Sequence, residues 1–159
     1  MPRIRRRLLL TAPVAGVVAL GGCAAAVPVD VAPNATEPVC ASVVLAMPDS
    51  LGEGLPQRDT TAQATTAWGD PSAPIILRCG VEPLAPTTEH CQTVETPNGP
   101  SIDWVAVQDE DESWTLTTYG RVPAVELHVP ASVAASTGTS YVDQLGPAVA
   151  LTTQERSCV

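Results

Sequence analysis

The sequence predicts an α+β domain: an antiparallel sheet of about five strands with short helices near the two ends of the domain, stapled by disulfides. Three observations carry this reading. Apolar runs with strand character follow one another through turn signals instead of alternating with helices, which favours antiparallel pairing. Apolar residues recur at helical spacing only near the start and the end of the domain. Four cysteines are spread from Cys40 to Cys158.

The elements follow in chain order. Cys40, Val43, Val44 and Met47 stand at i, i+3, i+4 and i+7, with Pro38 suited to a first helical turn and Pro48 marking the end. The Thr-rich stretch Arg58 to Trp68 reads as extended. Gly69-Asp70-Pro71 turns the chain into the β-branched run Ile75 to Cys79, so the two segments form a hairpin. A Pro-rich loop leads to His90, and residues 91–95 form a weak strand before the turn signal Asn98-Gly99. Ile102 to Val107 is a strand, Asp109 to Glu112 makes an acidic turn, and Ser113 to Tyr119 runs back. Val125, Leu127 and Val129 alternate with Ala124, Glu126 and His128, the pattern of a strand with one wet face. Ser140 to Thr152 is helix-like through Tyr141, Val142, Leu145 and Val149, with a break at Gly146-Pro147. The two terminal helices are expected on one face of the sheet.

The leader has three parts. Arg3, Arg5, Arg6 and Arg7 make a basic start, Leu8 to Leu20 is apolar over 13 residues, and Leu20-Gly21-Gly22-Cys23 closes it. The apolar run is shorter than the ~20 residues a membrane-spanning helix takes, and it has the length of a signal-peptide core. The last four residues resemble a lipobox, the processing signal of bacterial lipoproteins: small Gly21 and Gly22 admit a protease, and the Cys23 thiol takes diacylglycerol. Arg5-Arg6-Arg7-Leu8-Leu9 fits both a plain basic leader and a twin-arginine leader, so the export route stays open. The expected organisation is a lipoprotein signal peptide over 1–22, lipidated Cys23 with an Ala/Pro-rich tether over 23–37, and a single domain over 38–159.

Charge excludes some partners. The chain has no Lys, and from Cys23 onward four Arg face 17 acidic residues, a net of −13. Such a surface repels nucleic acid, which needs a basic footprint, and anionic headgroups alike. The membrane is therefore a partner through the lipid on Cys23 and not through charge.

Five cysteines are an odd count. Lipidation of Cys23 leaves Cys40, Cys79, Cys91 and Cys158, an even set that suits an oxidising compartment and allows three connectivities. The preferred pairs are Cys79–Cys91, closing a short loop, and Cys40–Cys158, tying the domain's start to its end. On the chain-entropy model such bridges contribute about 3 to 5 kcal/mol each.

Residues able to carry chemistry are few. Cys79, His90 and Cys91 lack metal-ligand spacing, and no cofactor motif is present, so neither metal nor cofactor is expected. His128 and Glu126 read as two solvated side chains on a strand, with no nucleophile beside them. The acidic run Asp109 to Glu112 lacks the alternating ligands of a calcium loop and reads as a hairpin tip. Arg78 and Arg121 can grip a carboxylate or phosphate if they converge, or can pair with internal acids such as Asp70 or Asp103. Trp68, Trp104, Trp114, Tyr119 and Tyr141 are all the aromatics. In a chain without Phe they read chiefly as core, with Trp104 and Trp114 flanking the acidic hairpin.

Taken together, Trp68-Gly69-Asp70-Pro71, Leu77-Arg78-Cys79-Gly80-Val81, Cys91, Asp103-Trp104, Thr118-Tyr119-Gly120-Arg121 with Pro123 and Val125, and Val129-Pro130 resemble the signature of a family of small actinobacterial exported proteins and lipoproteins of unknown function. The resemblance runs from about Cys40 to Cys158. It implies an envelope location and paired cysteines, and it carries no catalytic residues.

The expectation is a lipid-anchored protein on the extracytoplasmic face of the cell membrane, acting as a non-catalytic module that binds an envelope protein or cell-wall component. The alternative is a small-ligand or enzymatic site around Arg78 and Arg121, with Trp68 and Tyr119 as further candidate contacts. That alternative requires the side chains to converge in one concave pocket.

Overall fold

The computed structural model describes residues 25–87, 89–97, 99–137 and 140–159. The predicted signal peptide, 1–22, and Cys23 lie outside the described residues. Among those described, no helix is long and apolar enough to cross a membrane.

The chain opens with helix α1 (Pro38–Leu45), and Pro38 takes the first turn as expected. Strands β1 (Ser50–Leu51), β2 (Leu55–Arg58), β3 (Thr65–Trp68) and β4 (Ile75–Val81) form an antiparallel meander. Strands β5 (Cys91–Val94), β6 (Ile102–Gln108) and β7 (Trp114–Thr118) form a second one. Strand β9 (Ala124–Val129) lies between β4 and β7 and joins the two into one sheet, ordered β1-β2-β3-β4-β9-β7-β6-β5. Short strands β8 (Arg121–Val122) and β10 (Thr153–Gln154) make a separate two-stranded ribbon. Helix α2 (Ala131–Thr137), a 3₁₀ turn (Val142–Leu145) and α3 (Gly146–Val149) complete the chain.

The main sheet has eight strands, not about five. The difference arises early in the chain, where the sequence reads one extended run to Trp68. Residues 59–64 turn there, with Ala64 in the left-handed region at φ 58°, so β2 and β3 are separate strands. β1 has only two residues and carries no periodic signal. The patterns give no sign of α2 or of the β8–β10 ribbon; the remaining elements lie close to where the patterns place them. The hairpin over Gly69-Asp70-Pro71 sets Trp68 opposite Ile75, and Gly146-Pro147 marks the junction between the 3₁₀ turn and α3.

Strand alternation decides the faces. Trp68, Ile75, Leu77, Cys79, Trp104, Leu116, Val125, Leu127 and Val129 point inward. They pack against Cys40, Val43 and Met47 of the α1 region and against Tyr141, Val142, Leu145, Ala148 and Val149. Helical segments from both ends of the domain thus share the inner face, as the sequence predicts.

The outer face is covered in part by a segment the sequence reads as a tether. Val27 forms a parallel bridge with Thr60, and Asn34 donates its amide to the carbonyl of Gly80 at 2.8 Å. Ala32 and Ala35 are buried with Val81 and Ala124 in a small second apolar cluster. From Val27 onward the chain is therefore part of the folded domain, not a free spacer over 23–37. Small Ala residues permit this because a bulkier segment could not lie this close to the sheet.

The disulfides are Cys40–Cys79 and Cys91–Cys158. This corrects the pairing Cys79–Cys91 with Cys40–Cys158. Cys79 points inward toward α1. Cys91 lies in the row Cys91–Val105–Thr117–Glu126–Arg78, which points outward. β4 and β5 are also four strand positions apart, about 19 Å, far beyond the reach of a disulfide.

Candidate functional site

The four side chains put forward as ligand contacts do not meet. Trp68 is fully buried in the core and donates its indole N–H to the carbonyl of Pro48 at 2.8 Å. Arg78 stands on the outer face with its Nε and one terminal nitrogen on the same Glu126 oxygen, at 3.0 and 2.7 Å. Arg121 is 3% exposed and donates to the carbonyl of Thr152 at 2.8 Å and to the side-chain oxygen of Gln154 at 3.4 Å. Burial pushes its guanidinium below the ordinary value, and the charge of nearby Asp103 opposes that shift. Tyr119 lies near the Cys91–Cys158 bridge beside Glu89 and His90. The convergence that a shared Arg78–Arg121 site requires is not made.

Arg78 and Glu126 do line an outer groove, with Pro28, Val29, Asp30 and His128. It owes its far wall to the docked N-terminal segment. Arg78 spends two of its five donors on Glu126, and that carboxylate offsets its charge, which weakens its pull on an anion. The residue facing Arg78 in the sheet is thus Glu126, two positions from His128, and not Asp70 or Asp103.

Asp103, expected only as an internal acid that could pair an Arg, is also an organising residue. One carboxylate oxygen accepts from the Thr93 hydroxyl at 2.6 Å and the other from the amide of Cys158 at 2.9 Å. Its own carbonyl accepts from the amide of Tyr119 at 2.8 Å. It therefore fixes the C-terminal tail to β5 and β6. The Asp103-Trp104 pair divides its labour across the sheet, Asp103 holding the tail outside and Trp104 facing inward.

The inward side of Trp104 opens a hollow with the lining expected of an apolar ligand site. It is a cavity of about 350 Å³ between the β5–β6–β7 end of the inner face and the helical cover. Trp104, Trp114, Leu116 and Val94 wall it, with Val142 and Ala134 across the gap and Gln92 as the polar element. Strand register puts Trp104 and Ala106 of β6, and Trp114 and Leu116 of β7, on this face. Ala106 is small and leaves room that a larger side chain would fill. The volume lies at the lower end of the range for small-molecule pockets, about 300 to 1,000 Å³. The indole N–H of Trp104 is buried and has no hydrogen-bond partner among the described residues. Leaving such a donor unpaired costs about 1 to 3 kcal/mol. The expectation that Trp104 and Trp114 belong to the core holds for Trp104, whereas Trp114 is only half-buried.

A family model described as a protein of unknown function, DUF3515, matches residues 9–158. The chain belongs to the DUF3515 family. No curated protein and no solved structure matches it. In this DUF3515 chain the stretches quoted as a signature have structural work. Gly69-Asp70-Pro71 forms the β3–β4 turn, where Asp70 accepts from both the amide and the hydroxyl of Ser72 at 2.8 Å. Gly80 and Gly120 are close-approach points for the two ends of the described chain. The Gly80 carbonyl accepts from Asn34, and the Gly120 carbonyl accepts from Glu155 at 2.7 Å and Arg156 at 3.2 Å. Each of these glycines is at positive φ, 96° and 67°, where a side chain is strained. The DUF3515 match carries no assigned activity, so the chemistry of the cavity over Trp104 stands on its own.

Proposed function

We propose that the chain is a lipid-anchored extracytoplasmic envelope protein of actinobacterial type, whose domain is a non-catalytic binding module. The occupant of the module is a small apolar group, or the apolar part of an envelope component, seated over Trp104 and Trp114. The observation that carries this reading is the cavity of about 350 Å³ with its largely apolar lining. An apolar lining supplies affinity through burial, and Gln92 is the polar side chain at the wall that can orient a guest.

Two further points support the location. The two disulfides use four of the five cysteines, which leaves Cys23 as the remaining thiol in the sequence. The family match starts at residue 9, so it takes in most of the apolar leader together with Cys23.

The binding reading is tested with Nile red, a neutral apolar dye suited to a strongly acidic protein. Titration of the purified protein is expected to give saturable emission, and Ala106→Trp, which fills the cavity, is expected to abolish it. Saturable emission that survives Ala106→Trp with the fold intact places the dye elsewhere and overturns the site. The anchoring reading is tested separately. Cys23→Ser is expected to move the protein from the membrane fraction to the medium, and unchanged retention refutes lipidation.

A further inference from the structure

We infer that the corner of the domain formed by Leu45 and the Thr60–Thr61 turn lies against the bilayer, with Leu45 entering the headgroup boundary. The inference rests on the reading of Cys23 as the lipid-bearing residue. It goes beyond that reading by fixing which side of the domain meets the lipid.

The argument is one of reach. Val27 is pinned to the sheet edge: its amide donates to the carbonyl of Asp59 at 2.8 Å, and its carbonyl accepts from the amide of Thr61 at 3.0 Å. Two residues on, the amide of Val29 donates to the Thr61 hydroxyl at 3.0 Å. Val27 itself is 3% exposed. Only residues 24–26 separate it from Cys23. Four Cα-to-Cα steps span at most about 14 Å, even fully extended. A lipid on Cys23 therefore holds the Thr60 edge within about that distance of its attachment point, and the domain cannot stand off on a long stalk.

The side chain best suited to meet the bilayer is at that edge. Leu45, the last residue of α1, is 87% exposed, the highest value of any large apolar side chain described apart from the C-terminal Val159. It shares the rim of one hollow with Thr60 and Arg58, so it is a neighbour of the residue that Val27 bridges. The domain's net charge repels anionic headgroups, and Asp49 and Asp59 stand on the same rim, so contact there has to come from apolar insertion beside the acyl anchor. Val107, also exposed, serves as the contrast. It lies on β6, five strand positions from β2 and about 24 Å away across the sheet.

The test uses the full-length acylated protein in phosphatidylcholine vesicles, plain or with brominated acyl chains that quench tryptophan on contact. Leu45→Trp and Val107→Trp each add one emitter at an exposed position to the three native Trp. The added emission of Leu45→Trp is expected to fall at least about twofold in brominated vesicles, as for a side chain at the acyl boundary, while that of Val107→Trp is unchanged. Equal emission of Leu45→Trp in both vesicles overturns the inference. So does a blue-shifted but bromine-insensitive signal, which identifies a protein surface as the cover, a second copy included. Flotation of the wild-type protein with the vesicles is read in the same experiment. Flotation without quenching sinks the orientation alone, whereas absence of flotation sinks the anchoring reading and the orientation with it.

Discussion

Gly80 is the seat of Asn34: the Asn34 amide donates to the Gly80 carbonyl at 2.8 Å, and a Cβ on Gly80 would lie 2.5 Å from the Asn34 carbonyl carbon. Gly80 is also where the β4–β9 register shifts, between Cys79 and Val81, so the strand bulges outward to meet the segment that crosses it. The N-terminal segment and the Cys40–Cys79 bridge are thus anchored at adjacent residues, one on each side of the sheet.

Gly80→Ala is expected to lower stability by about 2 to 4 kcal/mol, because left-handed strain and backbone contact add. Gly52→Ala is the control. Gly52 is at φ 53° with open space around its Cβ position, so the cost there is about 1 to 2 kcal/mol of strain alone. Denaturant unfolding of both variants checks the difference. Equal losses would mean that docking of Asn34 contributes nothing.

Peptide mapping without reduction is expected to join the peptide of Cys40 to that of Cys79, and the peptide of Cys91 to that of Cys158. Cleavage after Glu89 is needed, because cleavage at Arg leaves Cys79 and Cys91 in one fragment. The bridges span 39 and 67 residues, so removing either pair is expected to cost about 4 kcal/mol on the chain-entropy model. A Cys79–Cys91 crosslink would contradict the sheet order itself.

Arg121→Met is expected to destabilise the domain by about 3 kcal/mol, since it leaves the buried Thr152 carbonyl and nearby Asp103 without their cation. Arg121→Lys is expected to rescue little, because a compact ammonium cannot reach the Thr152 carbonyl and the Gln154 side chain as a fork does. Thermal unfolding of both variants decides this. Full rescue by Lys would show that charge alone matters at this position.

Two carboxylates at turn tips are held below their ordinary value of 3.8. Asp111 is lowered by the hydroxyl and then the amide of Ser113, and Asp70 by the amide and then the hydroxyl of Ser72. A lowered folded value means that folding favours the charged form. The resulting stabilisation is complete above the unfolded carboxylate pKa and is lost as pH falls through the folded value. Ser113→Ala is expected to raise the Asp111 midpoint toward 3.8, followed by NMR titration of the carboxyl carbon. An unmoved midpoint would remove the Ser113 hydroxyl as its leading cause.

Legibility followed the range of the interaction. The β9 alternation, the Gly69-Asp70-Pro71 hairpin and the helix starting at Pro38 are set by neighbours within a turn or a strand, and the structure has them there, the helix ending at Leu45, two residues before Met47. The cavity was half legible. Period-two alternation puts Trp104 with Ala106 and Trp114 with Leu116 on single faces, but it is the cover from Ala134 and Val142 that turns that face into an enclosure. Arg78 and Arg121 were singled out for scarcity among 17 acids, and scarcity carries no information about where a side chain points.

By itself the sequence determined the strand-rich character of the domain, most of its turns and the helical stretches near both ends. Those are local properties, fixed by steric preference and side-chain period. The tertiary structure alone decided which sulfurs meet, that residues 27–35 belong to the domain, and that Arg78 and Arg121 are apart. Strand order is the physical reason: Cys79 and Cys91 stand twelve residues apart along the chain, yet β9, β7 and β6 separate their strands in space.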